Sequence, residues 1–419
     1  MATSSVATFA ASLFLVGSTD ASVFADIAVL TSMVLLLSTL VRFGSDRIIL
    51  SEVHAGAHEG SARGADILGF ALLAGPAAAL LVCTPLFGFV LDGSLSSDAG
   101  LPDRGLIGLW LACEVVRFVA AEAHRSRYRF RLASFSGYGV RSLLFLVLIV
   151  AFQAHEHDLS RRAVLLAAAL ASAVVCVISL VAVSRDFHWW QAHPLRSWRR
   201  LWAGHVSMVL TTFAATVIGG ADIWMLGATV RHSETASYSL AVTLVAGLAV
   251  VSTAITGGMA PYVATALARG ERQQVEAQVT RFVRVAGGLA LVGYLCLVVI
   301  AHPLAVALGG ASYGQVGAFV AVLGAGQVVN ALAGIAGAIL IVDRRYQAVM
   351  AVTVAVAAAT AGLEAVMAFG FHDVMAVGVV SSLGTALLPV TGCLVLWRVL
   401  GIRTDAFGGR SRRAGPLSP

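Results

Sequence analysis

The chain has 419 residues, of which 58% are hydrophobic and only 12% are charged, and its mean hydropathy is +0.88. A water-soluble domain cannot cover so much apolar surface, whereas a helix bundle that faces lipid can. The formal net charge is +6, but all basic residues are arginines distributed between apolar runs, which argues against a nucleic-acid-binding protein. The five cysteines lie inside apolar runs without metal-ligand spacing, so we predict no zinc site, disulfide framework or cofactor.

Long apolar runs rich in Ala, Leu and Val predict helices that cross a membrane, because only internal hydrogen bonds can satisfy the backbone in lipid. The first run, within residues 1–17, resembles the core of a signal peptide, but no basic residue precedes it, so we interpret it as a short first span. Twelve spans are predicted, at roughly 4–18, 23–43, 65–91, 104–123, 136–153, 162–183, 202–227, 237–257, 281–301, 315–340, 347–370 and 374–398.

The arginines predict the orientation of these spans. Of the 28 arginines, 22 fall in one set of alternating loops and in the C-terminal tail, and only four fall in the opposite loops. The positive-inside rule therefore predicts that both termini face the cytoplasm. Such a regular alternation also supports twelve spans, because a missed helix would exchange the two sides downstream.

The spans divide into two halves of six helices. A segment rich in Trp and Arg, at 184–201, predicts a cytoplasmic interfacial linker. It separates an N-terminal half at 1–183 from a C-terminal half at 202–400, and a cytoplasmic tail follows at 401–419. Paired halves of this kind are typical of transporters.

Ionisable residues within spans are the main functional candidates, because a charge in the bilayer is costly. Glu114 and Arg117 are three positions apart and therefore share one helix face. They indicate either a cavity-lining pair that contacts an anionic substrate or a structural ion pair. Arg141 either extends to the cytoplasmic headgroups or lines the cavity and binds phosphate, for which a guanidinium is well suited.

Two acidic residues are candidates for ion coupling. Asp222 lies near the outer end of the seventh span and is either a proton or cation site or a carboxylate that reaches the outer interface. Glu364 lies in the middle of the eleventh span among Ala and Val, where the neutral form of a carboxyl group is favoured, so it is a candidate proton carrier.

Other polar residues have weaker signals. Gln327 and Asn330 share one face of the tenth span, where they either bond to a neighbouring helix or contact a sugar. His54 and His58 have i, i+4 spacing, but without further ligands they predict solvated loop residues rather than a metal site.

Several motifs carry a resemblance to the polysaccharide-biosynthesis flippases of the multidrug/oligosaccharidyl-lipid/polysaccharide exporter superfamily. The match is clearer in the C-terminal half, which contains the first four segments named below. It is looser in the N-terminal half, where only the last segment matches. The segments are Ala221–Gly227 with Tyr238, Met259–Tyr262, Leu308–Tyr313, Gly326–Gly334 and Phe43–Glu52.

The resemblance implies an all-α membrane protein with two six-helix halves around a V-shaped central cavity. It implies that a polyprenyl-diphosphate-linked oligosaccharide is flipped across the plasma (inner) membrane by alternating access, in cell-surface polysaccharide biosynthesis. A diphosphate needs cations to cross hydrocarbon. Arg117 and Arg141 are the cations predicted deepest in the membrane, and Arg42 and Arg47 are predicted near the cytoplasmic mouth of the cavity. The predicted partners are this lipid-linked glycan and membrane lipids, with no nucleic acid. We expect a monomer, alone or with other polysaccharide-assembly proteins.

Two alternatives stay open. The first is a proton- or sodium-coupled exporter of drugs or metabolites from the same superfamily, which would depend on Asp222 or Glu364. The second is a membrane glycosyltransferase or polymerase, which the sequence favours least because it offers no large outer loop for catalytic residues. We therefore predict a transporter rather than an enzyme.

Overall fold

A computed structural model describes residues 2–52, 59–96, 99–156, 159–185, 187, 205–343 and 345–406. Within these ranges every regular element is a helix. The first nine are α1 (Ala2–Ser18), α2 (Ala21–Arg42), α3 (Ser45–Glu52), α4 (Glu59–Val82), α5 (Pro85–Asp92), α6 (Leu101–Ser126), α7 (Phe130–Ser134), α8 (Val140–Glu156) and α9 (Arg161–Val183). The others are α10 (Val206–Ile218), α11 (Ala221–Thr229), α12 (His232–Ala268), α13 (Arg272–Gly309), α14 (Val316–Ala333), α15 (Ala336–Val342), α16 (Tyr346–Ala365) and α17 (Val374–Leu400).

The predicted all-helical membrane architecture is confirmed. Nine segments of the described chain are long and apolar enough to cross a membrane, and the bent pair of α10 and α11 makes ten. The other two predicted spans are also helical. One is the short apolar helix α1, and the other is α6, whose 26 residues include several ionisable side chains that lower its hydropathy.

Three of the predicted continuous spans are broken, which hydropathy alone does not show. Thr84 caps α5 and Pro85 occupies its first turn, so the chain restarts a helix after α4. Gly219 and Gly220 separate α10 from α11, which are bent by 47°. Gly334 has φ +90°, a conformation that favours glycine, and separates α14 from α15. Breaks inside membranes are tolerated where protein or a cavity surrounds the freed backbone.

The two halves meet along α1 and α2. These helices pack against α10, α11, α12 and α13 of the C-terminal half. The largest buried apolar cluster includes Leu30 and Val34 of α2 together with Leu226 and Tyr238 from the other half. At the predicted outer end, the rings of Phe24 and Tyr313 make an edge contact at 6.1 Å between centroids. The exact limits of the halves stay a prediction, since most of the 184–201 linker lies outside the described residues.

Candidate functional site

A cavity of about 660 Å³ lies between the two halves. Its walls come from α1, α2, α6, α8 and α9 on one side and from α10, α11 and α12 on the other. Most of the wall is apolar, and Arg141 is the charged residue among the described residues that line it. Hydroxyl groups provide most of its polarity: Thr8, Ser12, Thr31, Ser32, Ser142, Thr216, Ser239 and Thr243. The cavity therefore offers a positive charge and a set of hydroxyls to a ligand.

The break between α10 and α11 lies in the cavity wall. Gly219 and Gly220 both line the cavity, and the hydroxyl of Ser32 on α2 donates to the Gly220 carbonyl oxygen. A break leaves backbone groups without their helical partners, and this bond from the other half satisfies one of them. The contact therefore joins the two halves at the level of the cavity.

Arg141 is held in the cavity wall by a buried carboxylate. Its Nε lies 3.0 Å from Oε1 of Glu114 and 3.0 Å from the hydroxyl of Ser172. The guanidinium carbon lies 5.3 Å from the ring centroid of Trp110, whose indole N–H donates to the same Glu114 oxygen at 3.3 Å. Three contacts thus fix the guanidinium head at the surface of the cavity.

Arg117 lies behind this wall and is fully buried. Its guanidinium pairs with Oε2 of Glu114 and donates to the backbone oxygens of Ser136 and Gly137. Glu114 therefore bridges two arginines. The three-residue spacing predicted its contact with Arg117 but not its contact with Arg141. In this structure the Glu114–Arg117 contact is an internal ion pair, and the arginine that lines the cavity is Arg141.

Arg42 and Arg47 were predicted near the cytoplasmic mouth, and the structure describes the side chain of Arg42. Arg42 is buried, lies 3.4 Å from Asp46, and donates to Thr39 and to the backbone oxygen of Ser38. The ring of Phe118 lies between Arg42 and Arg117, 4.3 Å and 4.5 Å from their guanidinium carbons. These contacts tie α2 to α6. Arg47 belongs to α3, but its side chain lies outside the described part of the structure.

Asp222 is the centre of a second polar cluster, in the C-terminal half. It is buried in the first turn of α11, directly after the Gly219–Gly220 break. The hydroxyl of Tyr238 donates to its carboxylate at 2.6 Å, the hydroxyl of Ser381 at 2.9 Å, and the Ile223 N–H at 2.8 Å. This carboxylate does not extend to the outer interface. It joins α11, α12 and α17 inside the half.

Glu364 is buried near this cluster on α16. Its side chain is 1% exposed, and neither carboxyl oxygen has a hydrogen-bond partner among the residues that the structure describes. The helices that carry Glu364 and Asp222 are neighbours, since α16 packs against α11. A buried polar group without a partner is costly to the fold, so its presence indicates a role that compensates the cost.

The remaining predicted polar residues lie elsewhere. Asn330 donates to Gln327 at 3.1 Å, so the two amides bond along α14 rather than to a neighbouring helix, and neither is among the residues that line the cavity. His54 and His58 lie outside the described residues. Within the described residues, no three metal-ligating side chains lie together.

Three further residues of interest were not predicted from the sequence. Ser239 lines the cavity, and within the described part of the chain its buried hydroxyl has no hydrogen-bond partner. A serine in an apolar helix gives no signal that would single it out. Trp110 lies beside Arg141. It precedes Glu114 by four residues, one helical turn, and this spacing could have identified it as a neighbour of the charged pair. Asp26 is an acid inside the second span and is 1% exposed, which the same rule on ionisable residues could have identified.

No family model matches the sequence, and no curated protein matches it significantly. Solved structures do match the fold. An inward-facing multidrug resistance MATE family transporter of the MOP superfamily aligns at 12% identity and TM-score 0.72, over 94% of each chain. The lipid II flippase MurJ, in an inward closed conformation, aligns at 7% identity and TM-score 0.73, over 94% of this chain and 85% of that one. The MATE multidrug transporter DinF-BH aligns at 14% identity and TM-score 0.67, over 95% and 92%.

The chain therefore has the fold of MOP-superfamily transporters and is a multi-pass membrane protein. The similar structures are transporters rather than enzymes. At identities of 7–14%, the likeness concerns the fold, and the substrate has to be argued from the residues of this chain.

Proposed function

We propose that this protein is a flippase that moves a polyprenyl-diphosphate-linked oligosaccharide across the plasma membrane by alternating access. The observation that carries the proposal is the position of Arg141, a guanidinium fixed in the wall of a mostly apolar cavity between the two halves. A guanidinium binds phosphate oxygens through charge-assisted hydrogen bonds, which are strong in an apolar surrounding. One MOP-fold neighbour is a flippase for lipid II, which supports this class of substrate.

The other walls fit the rest of such a headgroup. A cavity of about 660 Å³ is within the range for small-molecule sites and suits a headgroup whose lipid tail stays in the membrane. Hydroxyl oxygens from both halves can accept hydrogen bonds from a sugar, and the unpartnered hydroxyl of Ser239 can donate one. The phosphate then lies against the N-terminal half, and the sugar reaches the C-terminal half.

The test is a leaflet-exchange assay in proteoliposomes with a fluorescent polyprenyl-diphosphate sugar. We expect movement above that in protein-free liposomes, and Arg141→Gln should slow it about tenfold or more, as loss of a charged hydrogen bond of about 1.5–3 kcal/mol implies. Arg104→Gln is the matched control, because Arg104 pairs with Asp92 at 3.0 Å outside the cavity. An Arg141→Gln protein that moves the lipid at the full rate would contradict the proposal.

A second candidate function is a proton- or sodium-coupled exporter of small molecules. The bonded carboxylate of Asp222 and the unpartnered carboxyl of Glu364 favour it, as do the MATE neighbours. Gradient-driven transport of organic cations, together with no movement of the lipid-linked sugar, would support this candidate instead. In both cases we propose both termini in the cytoplasm, as the arginine distribution predicts.

A further inference from the structure

A charged cluster lies at the predicted outer end of the bundle, away from the cavity. Its centre is Asp26 of α2, which is 1% exposed. One carboxylate oxygen accepts the Ser96 N–H at 2.8 Å, and the other accepts the Ser96 hydroxyl at 2.6 Å. Arg161, the first residue of α9, lies 3.1 Å from Asp26 and 3.2 Å from Asp103. These contacts all lie within the N-terminal half.

One further contact of Asp26 crosses to the other half. His232 is the first residue of α12, and its Nδ1 lies 3.9 Å from Oδ1 of Asp26. The side chain of His232 is 33% exposed, and its Nδ1 has no hydrogen-bond partner among the described residues. A neutral imidazole at this distance adds little to the contact, whereas an imidazolium would form an ion pair with the buried carboxylate.

The surrounding charges favour a cation at this position. Asp26, Asp103 and Arg161 together carry a net charge of −1, so a protonated His232 would neutralise the cluster. Two further charged residues lie next to His232 along the chain: Arg231 directly precedes α12, and Glu234 lies in its first turn, so their formal charges sum to zero. Protonation of His232 therefore strengthens the attraction between α2 and α12 at the outer end.

The contact lies where the halves must separate if the cavity is to open outward. Phe24, two residues before Asp26, contacts Tyr313 of the C-terminal half, and Gly227 lies closely against Val29. Opening to the outside would break these contacts as a group. An ion pair between Asp26 and protonated His232 would have to be broken during opening and so raises its free energy. With neutral His232 there is no ion pair and no such increase.

We propose that Asp26 and His232 form an outer latch that closes more firmly when the outer solution is acidic. Histidine is the side chain that changes charge between about pH 5 and 8, so the latch responds to the pH outside the cell. The inference rests on transport by alternating access, but it concerns the outer gate rather than the substrate. The latch favours the outward-closed state at low outer pH and releases it as the pH rises.

The test measures access to the cavity without any substrate. A cysteine introduced by Thr31→Cys lies in the cavity wall, and a membrane-impermeant maleimide is added to the outside of intact cells at about pH 5.5 and about pH 7.5. The parent chain corrects for its native cysteines. Ala311→Cys, an exposed position in the short helix Gly310–Tyr313, corrects for the intrinsic pH dependence of the thiol reaction.

After these corrections, we expect labelling at position 31 to be about two- to five-fold slower at the lower pH. His232→Gln should label at the faster rate at both pH values, and His232→Arg, with a permanent charge, at the slower rate at both. These variants leave Asp26 and its bonds to Ser96 and Arg161 in place, so they keep the buried cluster intact.

Two results would overturn the proposal, and they differ in what else they affect. If position 31 is labelled but His232→Gln keeps the pH dependence, the latch is wrong and alternating access is unaffected. If position 31 is never labelled from outside, even in His232→Gln, the cavity does not open outward, and the latch fails together with the proposed transport cycle.

Discussion

The two arginines that share Glu114 should differ sharply in what their loss does. Arg117 is fully buried and pairs with Glu114, whereas the side chain of Arg141 is 16% exposed at the cavity. Glu114→Gln removes the counter-charge from both and leaves Arg117 in the interior without a carboxylate. Removing one partner of a buried ion pair costs about 3–5 kcal/mol. We therefore expect Glu114→Gln to destabilise the protein strongly.

Arg141→Gln should cost less. Glu114 keeps Arg117 and the hydrogen bonds from Trp110 and Ser172, so its charge stays compensated. The main loss is the charge-assisted contact with Glu114 near the cavity surface, worth about 1.5–3 kcal/mol before the partial exposure of Arg141 is considered. The contacts of Arg141 with Ser172 and Trp110 are lost as well. Arg141→Gln should therefore fold but transport more slowly, whereas Glu114→Gln should be strongly destabilised.

The assay is thermal unfolding in detergent, in which the measured quantity is the fraction of protein that stays monodisperse after heating. A double variant, Glu114→Gln with Arg117→Met, provides the control, because it removes the uncompensated buried charge and should regain part of the lost stability. The reasoning would be refuted if Arg141→Gln were as unstable as Glu114→Gln. A double variant no more stable than Glu114→Gln alone would contradict it equally.

Three other predictions follow from buried contacts. Glu364→Met should raise the free energy of unfolding by about 1–3 kcal/mol, because it replaces a buried carboxyl that has no hydrogen-bond partner among the described residues. A loss of stability in thermal unfolding would contradict this. Tyr238→Phe removes the 2.6 Å hydrogen bond to Asp222 and should lower the free energy of unfolding by about 1–3 kcal/mol. Ser239→Ala is the control and should change it little, because the Ser239 hydroxyl has no partner among the described residues. Equal effects in the same assay would show that the bond to Asp222 is unimportant. Gly326→Ala should lower stability by about 1–3 kcal/mol, because a Cβ there would meet the backbone of Ser382. Gly337→Ala should be tolerated, because no atom of the described residues lies close to a Cβ there, and the reverse order of melting temperatures would contradict the packing of α14 on α17.

Hydropathy and arginine alternation were sufficient to predict the helical spans. Both are properties of a long window, and lipid imposes them on every crossing segment. They cannot detect a break inside an apolar run, which is why α4–α5, α10–α11 and α14–α15 were predicted as single spans. The Gly219–Gly220 pair and the Thr84–Pro85 pair were the available signals, since each combines residue types that end or start helices.

The candidate site was predictable only where its contacts are local. The Glu114–Arg117 pair follows from a spacing of three residues. The bond between Glu114 and Arg141 joins α6 to α8, and the bond between Asp222 and Ser381 spans 159 positions. Such contacts depend on how the helices pack, and one sequence does not determine that. Sequence reasoning could therefore nominate Arg117 and Arg141 together but could not tell which of them lines the cavity.

The arrangement of charges suggests how the two halves divide the work. The N-terminal half contributes the guanidinium of Arg141 to the cavity, and the C-terminal half holds two buried acids, Asp222 and Glu364, away from it. An anion held by Arg141 and a proton or cation held by the acids would thus occupy different halves. The Gly219–Gly220 break connects them, because it lines the cavity, is bonded by Ser32 of α2, and directly precedes Asp222. Asp222 also accepts the N–H of Ile223, which lines the cavity, so a change in the bonding of Asp222 would act directly on a residue of the cavity wall.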